Sequence, residues 1–170
     1  MIVARSTFLP RMPQQNTPYA LPPWLFFALP SIYFILHTLE ELPYFASWVT
    51  VHFGPMSALY FASIHIPLIL LSFYASHRAY KDERSTGWVI FCTAGMMQFV
   101  FNALFHLTTA ALFMEYSPGM VTAACLSFFF AIYFVERILN EERLNKKQVG
   151  WAAWWGFVMA AAAVGTLFLH

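Results

Sequence analysis

"PWLFFALPSIYFILHTLEELPYF", residues 23–45, is an apolar run long enough to cross a bilayer, with ionisable groups inside it. About 20 helical residues span roughly 30 Å of hydrocarbon. A lone strand there would leave its backbone N–H and C=O groups unpaired in lipid, so the run is read as a helix. A charged side chain at that depth costs several kcal/mol unless it is paired, hydrated or functional. His37, Glu40 and Glu41 therefore mark this span twice, as membrane-crossing and as one wall of a site.

Working outward, the same length and apolarity recur near residues 56–76, 87–113, 119–139 and 150–169. The expected fold is all-α: a polytopic membrane protein whose residues 23–170 form a five-transmembrane-helix bundle. Residues 1–22 read as a loose or interfacial leader, with no compact apolar core and small-residue cleavage site to suggest a signal peptide. Sixty per cent of the 170 residues are hydrophobic and 10% charged, so the apolar surplus faces membrane lipids. A net charge of +1 offers no cationic field for nucleic acid.

The 9 basic residues all fall on one side of such a bundle: Arg5 and Arg11, then Arg78, Lys81 and Arg84, then Arg137, Arg143, Lys146 and Lys147. The positive-inside rule then sets the N-terminus in the cytoplasm and the C-terminus outside. "ERILNEERLNKKQ" reads as a solvated helical extension at the cytoplasmic end, with His52 and His77 in loops. Cys92 and Cys125 read as buried small hydrophobes. Gly156 and Ala160, then Ala161 and Gly165, put small residues four apart on span five; this favours close packing within the bundle or, as the alternative, a homodimer.

On a helix His37, Glu40 and Glu41 are related by steps of three and four, with Tyr33 and Tyr44 extending the face. Span three carries a second stripe of Gln98, Asn102, His106 and Thr109. Span two adds His65 and, more weakly, Ser72. At ~1.5 Å per residue from the outer ends, His37 lies roughly 12 Å deep, His65 about 14 Å and His106 about 11 Å. Scattered core histidines would have little reason to share one level.

The spacing is akin to the H-E-x-x-H and H-x-x-E-H helices of soluble metalloproteases, in which residues at i and i+4 hold a metal beside a glutamate base. The expected roles are His37 and Glu41 as ligands of a divalent metal such as zinc, Glu40 as general base, and His106 or His65 completing the set. Asn102 joins the catalytic group. Di-iron bundles need more carboxylates. Aromatic residues Tyr33, Phe34, Tyr44, Phe61 and Phe105 would wall a hydrophobic small-molecule substrate. Two other uses of the same groups stay open: metal-free acid–base chemistry on an isoprenoid-like molecule by an isomerase, cyclase or hydratase, or ion and ligand carriage without chemistry.

Taken together, "HTLEE", "NALFHLTTA" and "YSPGMVTA" resemble the HXXEE domain, a group of small bacterial membrane proteins named for the motif. The likeness covers spans one to four. By position it marks His37, Glu40, Glu41, Asn102 and His106. It implies a bacterial inner-membrane protein with a membrane metal site, and names neither reaction nor substrate.

Overall fold

The computed structural model describes residues 21–82 and 85–168. Most of the leader, with Arg5 and Arg11, and Arg84 lie outside the described residues. The described chain forms six helices: α1 Pro23–Glu41, α2 Phe45–His52, α3 Ala58–Lys81, α4 Thr86–Phe113, α5 Met120–Asn140 and α6 Lys146–Phe168. No strand occurs among the described residues. Helices α3 to α6 are each long and apolar enough to cross a membrane, and α1 with α2 makes a fifth crossing if that bent pair counts as one span. The architecture is a helical membrane bundle.

The first span does not run straight to residue 45. Pro43 has no N–H to return to the preceding turn and its ring crowds that turn's carbonyl, which favours a break here, although α1 and α3 carry Pro30 and Pro67 within them. Helix α1 stops at Glu41, and α2 leaves at 66° to it. Tyr44 consequently leaves the polar face of α1 and is exposed. His52 ends α2 rather than sitting in a loop, and His77 lies within α3, which continues to Lys81.

The charged segment after α5 is not one helical extension. The helix ends at Asn140, Glu142 adopts φ 54°, and α6 starts at Lys146. Asn145 and Gln148 form a reciprocal capping box that fixes this start. Arg137 donates to Leu21 O and Arg143 to Ala79 O, so the described basic residues gather at one end of the bundle.

Lipid tails are as apolar as leucine, so helices here associate through close packing and interhelical hydrogen bonds rather than hydrophobic expulsion. Helix α4 is the central strut, packed most extensively on α6. A Cβ on Gly156 would lie 2.6 Å from Met97 Cβ and 2.7 Å from Ala94 O, so only glycine admits this approach. Ala152, Gly156 and Ala160 are buried along that seam. This half of the small-residue face is used inside the bundle. Cys92 is buried as expected, but Cys125 is exposed on the outside of α5, where a thiol behaves as a small apolar group against lipid.

Two apolar clusters stabilise the bundle. The larger joins Phe26, Phe27, Tyr33, Met96, Phe99 and Phe134. The smaller joins Phe45, Trp48, Val49, Phe61 and Leu167 at the end where α1 meets α2. Helix α5 begins as an α turn and passes through a π-helical turn, Ala123–Ser127, before resuming as Phe128–Asn140.

Candidate functional site

Between the two apolar clusters, α1, α3 and α4 bring three histidines around one carboxylate. Glu41 Oε1 lies 3.5 Å from His37 Nε2 and 3.3 Å from His106 Nε2, and Glu41 Oε2 lies 3.7 Å from His65 Nε2. His37, Glu41 and His106 are all buried; His65 is half-buried. Their convergence follows from the sequence stripes. His37 and Glu41 stand one helical turn apart on α1, and α4 and α3 each turn one imidazole toward them.

The outer ring atoms are fixed by oxygen. His65 Nδ1 donates to Phe61 O at 2.8 Å, because a carbonyl can only accept. His37 Nδ1 meets Thr122 Oγ1 at 2.7 Å, and that hydroxyl in turn donates to Gly119 O. His106 Nδ1 meets Ser117 Oγ at 3.0 Å. In every ring Nδ1 engages an oxygen and Nε2 is turned toward Glu41. His106 Nε2 is buried with no hydrogen-bond partner.

Buried polar atoms are nearly always satisfied, so this orphan needs a physical reason. The donor set suggests one. Zinc takes imidazole nitrogen at ≈ 2.0–2.1 Å and carboxylate oxygen at ≈ 2.0–2.2 Å, which separates two ligands of a tetrahedron by about 3.3 Å. The His37 and His106 separations from Glu41 Oε1 are of that size, and one donor atom from each of the three residues lies within 4.8 Å of the others. Oxygen partners on Nδ1 are also what metal-bound imidazoles carry in their outer shell. The residues fit a divalent metal. Asn102 Nδ2 donates to His37 Nε2 at 2.7 Å, so that amide must turn away before His37 can ligate.

Glu40 goes elsewhere. Successive helical residues point about 100° apart, and its carboxylate reaches the start of α5 instead of the histidines. Oε1 accepts from Tyr116 Oη at 2.5 Å and from Val121 N at 2.8 Å, and Oε2 accepts from Thr122 N at 2.7 Å. These N–H groups belong to the first turn of α5 and have no intrahelical partner. Glu40 therefore caps α5 from another helix, at the helix end that favours negative charge. Its position is that of an anchor, where the sequence suggested a base.

The segment between α4 and α5, with the first turn of α5, forms the lid of the site, and helical spacing does not point to its residues. Ser117 and Thr122 hold the histidines. Gly119, at φ 97°, passes so close that an added Cβ would stand 2.8 Å from Cε1 of both His37 and His106 and 3.0 Å from Glu41 Cγ. The signal available was the turn-forming "YSPG" directly after the His106 helix. Outside it, Glu115 Oε1 accepts from Trp48 Nε1 at 2.6 Å and meets His52 Nε2 at 2.6 Å, which ties α2 to the lid.

The remaining expected residues divide. Phe34, Phe61, Phe105 and Gln98 line a cavity that also reaches His37, Glu41, His65 and Asn102. Tyr33 is buried beside His37, stacked at 5.7 Å, with its hydroxyl on Ser127. Thr109 bonds Ser117 from below, and Ser72 bonds Ser31. Tyr44 does not line the cavity.

No curated protein and no solved structure matches the chain. A family described as "Protein of unknown function with HXXEE motif" matches residues 24–134, which include α1 to α4 and the site-bearing part of α5. His37, Glu40 and Glu41 supply the motif itself, one glutamate facing the histidines and the other holding the lid, and the chain belongs to the HXXEE family.

Proposed function

We propose that this protein is a membrane-embedded enzyme whose His/Glu centre binds a divalent metal, zinc in the first instance, and acts on a lipidic small molecule. One observation carries it: three imidazoles with Nδ1 engaged by oxygen turn Nε2 toward one buried carboxylate, and one of those atoms, in His106, has no hydrogen-bond partner. His37, His106 and Glu41 hold the metal. When bound, it supplies Lewis-acid polarisation of a carbonyl or phosphoryl oxygen and a more acidic water.

The chain's own groups do the rest. His65 Nε2 faces Glu41 Oε2 on the cavity side and carries protons between the centre and the substrate. Asn102, once released from His37, offers its amide to a substrate oxygen. The lid and α2 exclude water from the outer side. The crowding of basic residues at the opposite end supports a cytoplasmic N-terminus, a centre in the outer half of the membrane and a C-terminus outside.

Metal-free acid–base chemistry has one observation in its favour, the Asn102–His37 bond, which uses the lone pair that a metal would take. Elemental analysis of protein purified without chelator separates the two: one equivalent of transition metal, lost in Glu41→Gln, supports the metal centre, and its absence with unchanged activity excludes it. Lipid mass spectrometry of membranes carrying wild type or His106→Ala identifies the converted molecule.

A further inference from the structure

A cavity of about 400 Å³ runs from the centre into the bundle. Along α3 its lining extends from Phe61 to Ala75, and along α4 from Phe105 back to Phe91. Fourteen helical steps correspond to ~21 Å, so this modest volume is drawn out into a slot. One end carries His37, Glu41, His65 and Asn102; the rest is apolar apart from Gln98, Thr166 and Ser72, whose hydroxyl already bonds Ser31.

The slot has an open side. Helices α3 and α6 both line it, yet each packs chiefly on other helices and scarcely on the other. Leu68 and Leu71 on α3, and Ala162 and Ala163 on α6, line the slot and remain exposed. Side chains that do both stand at an opening. Alanine methyls on one lip leave it wide, and the leucines lie in the middle of a membrane-crossing helix, where the surroundings are hydrocarbon. The occupant therefore arrives from the bilayer.

We infer that the slot takes one acyl chain of a lipid, entering sideways between α3 and α6, with its carbonyl-bearing end at His65 and Glu41. The placement of that end rests on the enzyme reading above; the chain site does not. The volume spread over that length suits one extended chain better than a fused ring system or two chains. The polar end offers the Asn102 amide to a carbonyl, and the apolar length accepts the tail. Gly95 is the design feature within: it lines the slot, and a Cβ added there would meet nothing within 4 Å, unlike that of Gly156. Glycine in mid-helix weakens the helix relative to alanine, and here it leaves room.

The test uses full-length protein in lipid nanodiscs with a photoactivatable palmitic acid, the cross-linked residues located by mass spectrometry. Label is expected on slot-lining residues of α3 and α4. Gly95→Leu fills the slot while improving helix propensity, and Ala163→Phe narrows the opening; each is expected to lower that label roughly tenfold, about 1.4 kcal/mol of binding. Label is expected to persist in wild-type protein stripped of metal by chelator, so failure of the metal reading leaves this result standing. Label confined to the outer surface, label unchanged in Gly95→Leu, or preferential slot labelling by a photoactivatable sterol overturns the inference.

Discussion

His106 Nε2 stands 3.3 Å from Glu41 Oε1 and has no hydrogen-bond partner, although it is buried. An imidazole nitrogen and a carboxylate oxygen at that range are set to share a cation or a proton. His106→Ala should remove one ligand and drop metal content from about one equivalent to a small fraction, read by elemental analysis. Chelation of wild type should abolish activity, and zinc should restore it.

The adjacent glutamates should behave as opposites. Glu40→Gln weakens three hydrogen bonds that cap α5, two of them to backbone N–H groups; bonds to charged groups contribute about 1.5–3 kcal/mol each. Thermal unfolding should therefore shift downward while metal binding survives in the folded fraction. Glu41→Gln removes the carboxylate that faces three imidazoles and should eliminate the rise in unfolding temperature that metal gives wild type. Equal metal loss in both variants would show that the lid, rather than ligation, is what the motif supplies.

Gly119→Ala should damage the centre directly. It meets two imidazole carbons at 2.8 Å and sits at φ 97°, which costs about 1–3 kcal/mol for a residue with a Cβ. The expected result is lower metal affinity and faster hydrogen exchange across residues 114–122, with the spans themselves still protected. A wild-type exchange pattern would mean that the lid is already displaced from the histidines in the membrane.

His37→Ala should reduce activity more than His65→Ala. His37 is fully engaged on both nitrogens within the buried centre, whereas His65 reaches Glu41 only at 3.7 Å and is half-buried. Side-by-side turnover and metal content decide it: equal losses of both would make His65 a ligand, and activity unaffected by either change would make the cluster structural.

Much of this centre is legible in the sequence because ionisable residues are anomalous within apolar spans and helical spacing assigns them to faces. His37, Glu41 and His106 meet for that reason, and His65 joins them from the third helix. Extrapolation along a face fails where the helix itself fails: Pro43 ends α1, so Tyr44 leaves the polar stripe. The separate duties of Glu40 and Glu41 depend on what stands across from each. That partner is a loop whose path is set by Gly119 and Ser117, and turn geometry of this kind carries little periodic signal.

Tyr116 gives the lid a titration. Partial burial, followed by its hydrogen bond to the Glu40 carboxylate, pushes its hydroxyl up to about 12. A raised value means that the protonated phenol favours the docked lid, with this contribution complete below the ordinary tyrosine range near 10 and lost as pH rises through about 12. The difference in tyrosinate absorbance between wild type and Tyr116→Phe should accordingly lack a step near 10. A step there would show that the Tyr116–Glu40 bond does not persist.

The π-helical turn at Ala123–Ser127 sets the rotational phase of α5. Thr122, before it, reaches His37, while Ser127, at its end, bonds Tyr33 and Phe134 beyond it stacks on Phe26. Each residue inserted or deleted in a helix turns everything past it by about 100°. Removing one residue from this turn would give a more regular helix and uncouple its two halves: either Phe134 keeps its place and Thr122 swings away from His37, or the reverse. The turn therefore makes chain length, and not only chain chemistry, a requirement here, and single-residue deletions between 123 and 127 should be tolerated less well than most substitutions at the same positions.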